Sequence, residues 1–189
     1  MATASGAAFS GFTFHGVRKA LIDLGWASDT LAAVQPETRT VLEHPETLKF
    51  HPGECLDDVV ETLRRTRGPE APVQLMRLAT AKSLEGIVAP LARIYLTFSG
   101  GSPAALLERF GELTQALSRN ITTAYEKTSK TGGILQLVYP HVPPAGVDLG
   151  WKGALLHLLD FAGRAGTVEI LDRARDGHVL RLQVEWRAP

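Results

Sequence analysis

The apolar residues change their period near residue 120, and that change restricts the chain to folds that set a helical half against a short run of strands. Upstream, apolar positions recur at spacings of three and four. Downstream, alternating runs bracket one further helical stretch. The final run is the clearest: Leu180, Leu182, Val184 and Trp186 alternate with Arg181, Gln183 and Glu185, so a strand over 178–186 has one buried and one wet face. It pairs with 167–173 through a turn that holds Asp176 and Gly177. An earlier hairpin is predicted from 121–128 and 134–139 around a turn at 129–133, ended by Pro140, Pro143 and Pro144. Between the hairpins, Trp151, Leu155, Leu158, Leu159 and Ala162 mark one side of a helix over 150–164.

In the upstream half, the spacing predicts a helix over 15–24 and short helical pieces over 28–44, interrupted by Pro36 and Pro45. A further helix over 52–65 carries the stripe Cys55, Leu56, Val59, Val60 and Leu63, with Asp57, Asp58 and Glu61 on its surface. Another follows over 72–82. Leu84, Ile87, Val88, Leu91, Ile94, Tyr95 and Phe98 mark a longer one, which Pro90 kinks or divides and Gly100 and Gly101 stop. Ser102 and Pro103 open the last helix of this half, over 103–118, with Leu106, Phe110, Leu113 and Leu117 on one stripe.

The fold class is therefore α+β: a helical half, then a ββαββ antiparallel sheet unit with the helices mostly on one face. Residues 1–13, rich in Ala, Ser and Gly, read as a loose tail, and 14–189 as a single α+β domain.

Charge excludes some partners. The chain has 20 basic and 20 acidic residues, so no net field draws it to nucleic acid. No window approaches the roughly 18 to 20 unbroken apolar residues of a membrane span. Cys55 is the only cysteine, which rules out an internal disulfide and a thiolate metal cluster and suits a reducing, cytoplasmic setting. The six histidines make no pair at ligand spacing, and no nucleophile elbow, Walker A or dinucleotide fingerprint occurs. The expectation is a non-enzyme without metal or cofactor, with Cys55 a small core residue and His157 a structural histidine. One apolar site can be assembled. Tyr95, Phe98, Tyr139 and Trp151 lie on a helix, a strand end and a loop–helix junction, and line a ligand pocket if those elements pack together.

The run from Ser102 and Pro103 to Phe110, the hairpin beyond it, Gly150-Trp151-Lys152-Gly153, Gly166-Thr167-Val168-Glu169 and Leu182-Gln183-Val184-Glu185-Trp186 resemble an uncharacterised family of myxobacterial single-domain proteins. The resemblance covers most of the chain from about residue 10 and brings no activity with it. More distantly, the ββαββ ending is similar to the group of haem nitric-oxide-binding domains, four-vinyl-reductase ligand-binding domains and TRAPP small subunits. That similarity implies a module that holds a small apolar ligand or pairs with a protein partner. The haem domains use a helical histidine and a Tyr-x-Ser-x-Arg motif. Here 84–98 and 103–118 contain no histidine, and Tyr125-Glu126-Lys127-Thr128-Ser129 does not reproduce the motif. The readings left open are a regulatory or sensory binding domain, a homodimeric interaction scaffold, and an enzyme of unrecognised type.

Overall fold

The structure, a computed structural model, describes residues 6–84 and 102–188. Tyr95, Phe98 and nearly all of the helix expected over 84–98 lie outside the described residues. Within them, five helices come first: α1 (Gly11–Asp23), α2 (Ala27–Ala33), α3 (Pro36–Glu43), α4 (Gly53–Arg67) and α5 (Glu70–Leu84). Two short helices follow, α6 (Pro103–Glu108) and α7 (Phe110–Leu117), and then α8 (Ala145–Phe161) between the two hairpins. The proline breaks fall as the sequence predicts, with Pro36 in the first turn of α3, where its missing N–H would have had no helical partner anyway. Helix α8 begins five residues before the predicted start, because Pro144 both leaves the preceding loop and caps it.

Strands β4 (Thr122–Ser129), β5 (Gly132–Val138), β6 (Gly166–Ala174) and β7 (Val179–Trp186) form one antiparallel sheet in the order β4-β5-β7-β6. This is the predicted ββαββ unit. Leu135 faces Leu182 and Leu137 faces Leu180 across the central pair, and all four are buried beneath the helices. Arg181, Gln183 and Glu185 point to the wetter face, as a period of two requires. The β6–β7 turn uses Arg175, Asp176 and Gly177 at positive φ, a conformation that favours glycine at its last position.

The structure corrects the sequence reading in three places. The loose tail contains a strand: β1 (Ala8–Ser10) is buried and pairs with β2 (Phe50–Pro52) on one side and β3 (Ser118–Arg119) on the other, a second sheet that the sequence does not announce. Helix α1 starts at Gly11, four residues early. The helix expected over 103–118 divides at Arg109, and Gly111 lets α7 approach β4, where an added Cβ would lie 3.2 Å from the Thr123 Oγ1.

Helix α5 is the middle of the helical layer. It packs against α1 on one side and α8 on the other, and both neighbours come close at glycines. A Cβ on Gly16 of α1 would lie 2.5 Å from the Ala79 carbonyl oxygen, and one on Gly153 of α8 would lie 2.2 Å from that of Val73. Helix α8 also packs on β6 and β7, so it joins the helices to the sheet.

The central strand supplies a direct check of this register. Leu182→Asp places an unpaired carboxylate in the core and is expected to cost several kcal/mol, enough to unfold a marginal domain, whereas Gln183→Asp is expected to be mild. Urea denaturation of the two variants measures the difference, and equal midpoints would contradict the register.

Candidate functional site

A cavity of about 110 Å³ opens where α1, α4, α5, α7 and α8 converge on β1 and the end of β5. It is comparable with the cavity of about 150 Å³ that takes up one benzene in an engineered protein. Phe9 from β1, Leu56 and Val60 from α4, Met76 from α5, Phe110 from α7 and Trp151 from α8 supply much of its wall. The rings of Phe110 and Trp151 meet edge to face, with centroids 5.9 Å apart.

The wall also carries hydroxyl groups, and four of these are bonded away from the space. Thr80 donates to the Met76 carbonyl at 2.7 Å, Ser83 to that of Ala79 at 2.8 Å, Thr114 to that of Phe110 at 2.8 Å and Ser118 to that of Thr114 at 2.9 Å. Each is a bond back to the preceding helical turn, so it leaves the methyl or methylene of the side chain toward the cavity. The resulting surface is close to hydrocarbon.

Two of the four pocket residues expected from the sequence are described, and the fold brings them together. Trp151 Nε1 donates to the Tyr139 hydroxyl, and both residues border the cavity. Tyr139 is buried, and its burial pushes the phenol well above its ordinary range, so it is a neutral donor–acceptor group. Cys55 is a buried core residue whose burial also raises the thiol pKa. His157 is half-buried beside the Phe161 ring, and its burial lowers its pKa.

The sequence reading placed Asp57 on the surface, and this is corrected. Helix α4 packs against α2, α3, α5, α8 and β1, so its buried arc is wider than a single apolar stripe and includes Asp57 at 8% exposure. Asp57 borders the cavity, and its Oδ2 lies 3.5 Å from His141 Nε2. Its burial raises the carboxyl pKa to about 6, partly opposed by His141. The other two acids have partners that the sequence reading did not find: Asp58 accepts from the Gln35 amide at 2.8 Å, and Glu61 pairs with Arg64 and accepts from the Gly146 amide at 3.1 Å.

Asp148, at the start of α8, is the second buried carboxylate of this region. Arg173 holds it through two bonds of 2.7 and 3.0 Å, and also donates to the carbonyls of Pro143 and Pro144. A bulge in β6 makes this possible. Ile170 faces Leu182, but the next described pair is Arg173 with Leu180, so one extra residue brings Arg173 onto the helix-facing side, where a regular strand would put Asp172.

No protein-family model matches the chain, and no curated protein matches it. Solved structures do. An Fe(II) unliganded H-NOX protein from K. algicida superposes with a TM-score of 0.67 at 8% identity, over 95% of this chain and 97% of that one. An oxygen-binding H-NOX domain related to soluble guanylate cyclases superposes with a TM-score of 0.58 at 16% identity, over 92% and 93%. At such identities the likeness establishes an H-NOX-like fold and not a shared chemistry.

That fold implies haem, and the donor set here does not fit it. Among the described residues the cavity wall has no histidine or cysteine to bind iron, and no arginine or lysine to meet the propionates. The undescribed residues 85–101 contain neither histidine nor cysteine. Among the described residues, burial keeps Tyr139 a neutral phenol against the opposing bond from Trp151, which leaves Met76, a thioether without the histidine that accompanies it in cytochromes. No cluster of three or more His, Cys, Asp or Glu suited to a metal ion occurs among the described residues, and none of their helices is long and apolar enough to cross a membrane.

Asp57 makes stability depend on pH in a defined direction. In the fold it keeps its proton to about pH 6, higher than in the unfolded chain, so its contribution is most favourable below pH 4 and declines as pH rises through 6. Above that, the ionised group costs up to about 3 kcal/mol. Asp57→Asn is therefore expected to melt several degrees higher than the parent at pH 7.5 and to lose that advantage near pH 4. A lower melting temperature at pH 7.5 would contradict the assignment.

Proposed function

We propose that the chain is a non-catalytic sensory binding domain of H-NOX-like fold whose cavity takes up a small apolar ligand in place of haem. The observation that carries the reading is the cavity wall: the hydroxyls of Thr80, Ser83, Thr114 and Ser118 are bonded to backbone carbonyls, so an entering molecule meets mainly methyl groups and aromatic edges. Such a surface gains from removing apolar area from water and makes no demand for a metal. The near-complete overlap with H-NOX structures supports a sensing role, because the whole sheet-and-helix module is present and not only its helical part. The lone buried Cys55 and the balance of charge suit a reducing cytoplasm.

Toluene, which matches the size and character of the wall, is the probe. A ligand that binds only the folded chain raises stability, by about 2.7 kcal/mol at a hundred times its Kd. Toluene is expected to raise the melting temperature by several degrees, and Ala154→Leu, which fills the cavity from α8, to abolish the effect. Titration with hemin is expected to give no stoichiometric Soret band. Absence of a toluene shift would contradict the pocket and favour the protein-partner reading, and a one-to-one haem complex would overturn the exclusion of haem.

A further inference from the structure

The two buried carboxylates near the cavity differ in how well they are compensated. Asp148 meets a guanidinium through two short bonds and lies away from the cavity wall. Asp57 lies on the wall, and its only hydrogen bond among the described residues is the 3.5 Å contact from His141 to Oδ2, near the limit of what counts as one. Its Oδ1 receives none from the described residues. A buried carboxylate left in this state retains most of its desolvation cost, and a donor that reaches it from inside the cavity would recover part of that cost.

The groups that face Asp57 do not supply such a donor. Glu54, on the same helix, has the same sign and disfavours ionisation. Arg173 from β6 acts on Asp57 only at a distance, because its own bonds go to Asp148, Pro143 and Pro144. The Tyr139 hydroxyl, at the end of β5, accepts from Trp151 and makes no hydrogen bond to Asp57 among the described residues. Asp148, on α8, is itself bonded by Arg173. The hydroxyls of Thr80, Ser83, Thr114 and Ser118 bond to carbonyls of the preceding helical turn, and that of Thr13 meets Ser10. Among the described residues, the apolar chamber therefore has one carboxylate, with an acceptor that none of them fills.

Building on the reading of the cavity as a ligand site, we propose that its ligand is a small aromatic or aliphatic amine, whose hydrocarbon part lies against Phe110, Met76 and Trp151 and whose ammonium group donates to Asp57. A cation is favoured over a neutral donor because it offsets the carboxylate charge as well as satisfying its acceptor. Asp57 is then the residue that selects among ligands of equal size.

Titration calorimetry with toluene, benzyl alcohol and benzylamine at pH 7.5 separates the contributions, since the three differ only in the group that would meet Asp57. Benzylamine is expected to bind at least about tenfold more tightly than either of the others, as a hydrogen bond between charged partners is stronger than one between neutral ones. Asp57→Asn is expected to reduce that preference to near unity. The wild-type chain supplies a second measurement should the variant not fold: the preference for benzylamine should fall as pH is lowered and Asp57 takes up a proton. Toluene binding without a preference for the amine would overturn this assignment and leave the apolar cavity standing. Equal affinities for benzyl alcohol and benzylamine would exclude the cationic requirement, and a preference that survives in Asp57→Asn would exclude Asp57. Binding of none of the three would overturn both the cavity reading and the proposal.

Discussion

The close approach of α1 and α8 to α5 is the contact on which the rest of the structure depends. Gly16 and Gly153 bring a neighbouring helix against the α5 backbone on each side, at Ala79 and Val73, where any side chain would collide with a carbonyl. With both flanks of α5 occupied, Met76, Ala79, Thr80 and Ser83 face the interior. Three of those four are small. The cavity is thus a consequence of helix spacing and small side chains, and its hydrocarbon character follows from hydroxyls that bond to their own helix. Closing it would require larger residues on α5 or α8, not a different fold.

Polar contacts tie this chamber to the sheet. Arg173 reaches from β6 to the start of α8, where it fixes Asp148 and two proline carbonyls, and Glu61 of α4 accepts from the Gly146 amide one turn away. The 139–146 segment therefore has Tyr139 at the cavity, His141 against Asp57 and Pro143, Pro144 and Gly146 held by β6 and α4. Buried ion pairs of this kind add little net stability over apolar packing, but they specify geometry, because a misplaced partner leaves a charge unpaired. Here they orient α8, and with it Trp151.

How much of this was legible in the sequence depended on whether the cause was local. The alternation of Leu180, Leu182, Val184 and Trp186 identified β7 and its buried face, since period and burial share one origin. Asp176 and Gly177 marked their turn because positive φ restricts the residues allowed there. Strand β1 was missed because three residues show no period, and its partners, His51 and Ser118, are far away in the chain. Asp57 was misread for the same reason: its burial comes from helices packed on α4, not from its own neighbours in sequence. The β6 bulge left no recognisable signal, so Arg173 could not be assigned to the inner face. Tyr139 and Trp151 were identified as candidates by residue type and element position, and their mutual hydrogen bond is what the fold adds.

A largely apolar space persists between α5 and the Phe110–Trp151 pair. Xenon occupies cavities of this kind without hydrogen bonds and scatters strongly, so a crystal pressurised with xenon tests the claim independently of any choice of organic probe. A well-occupied xenon site bounded by Phe9, Met76, Phe110 and Trp151 is expected. A crystal structure without such a site, with Met76 or Trp151 rotated inward to fill the space, would contradict it.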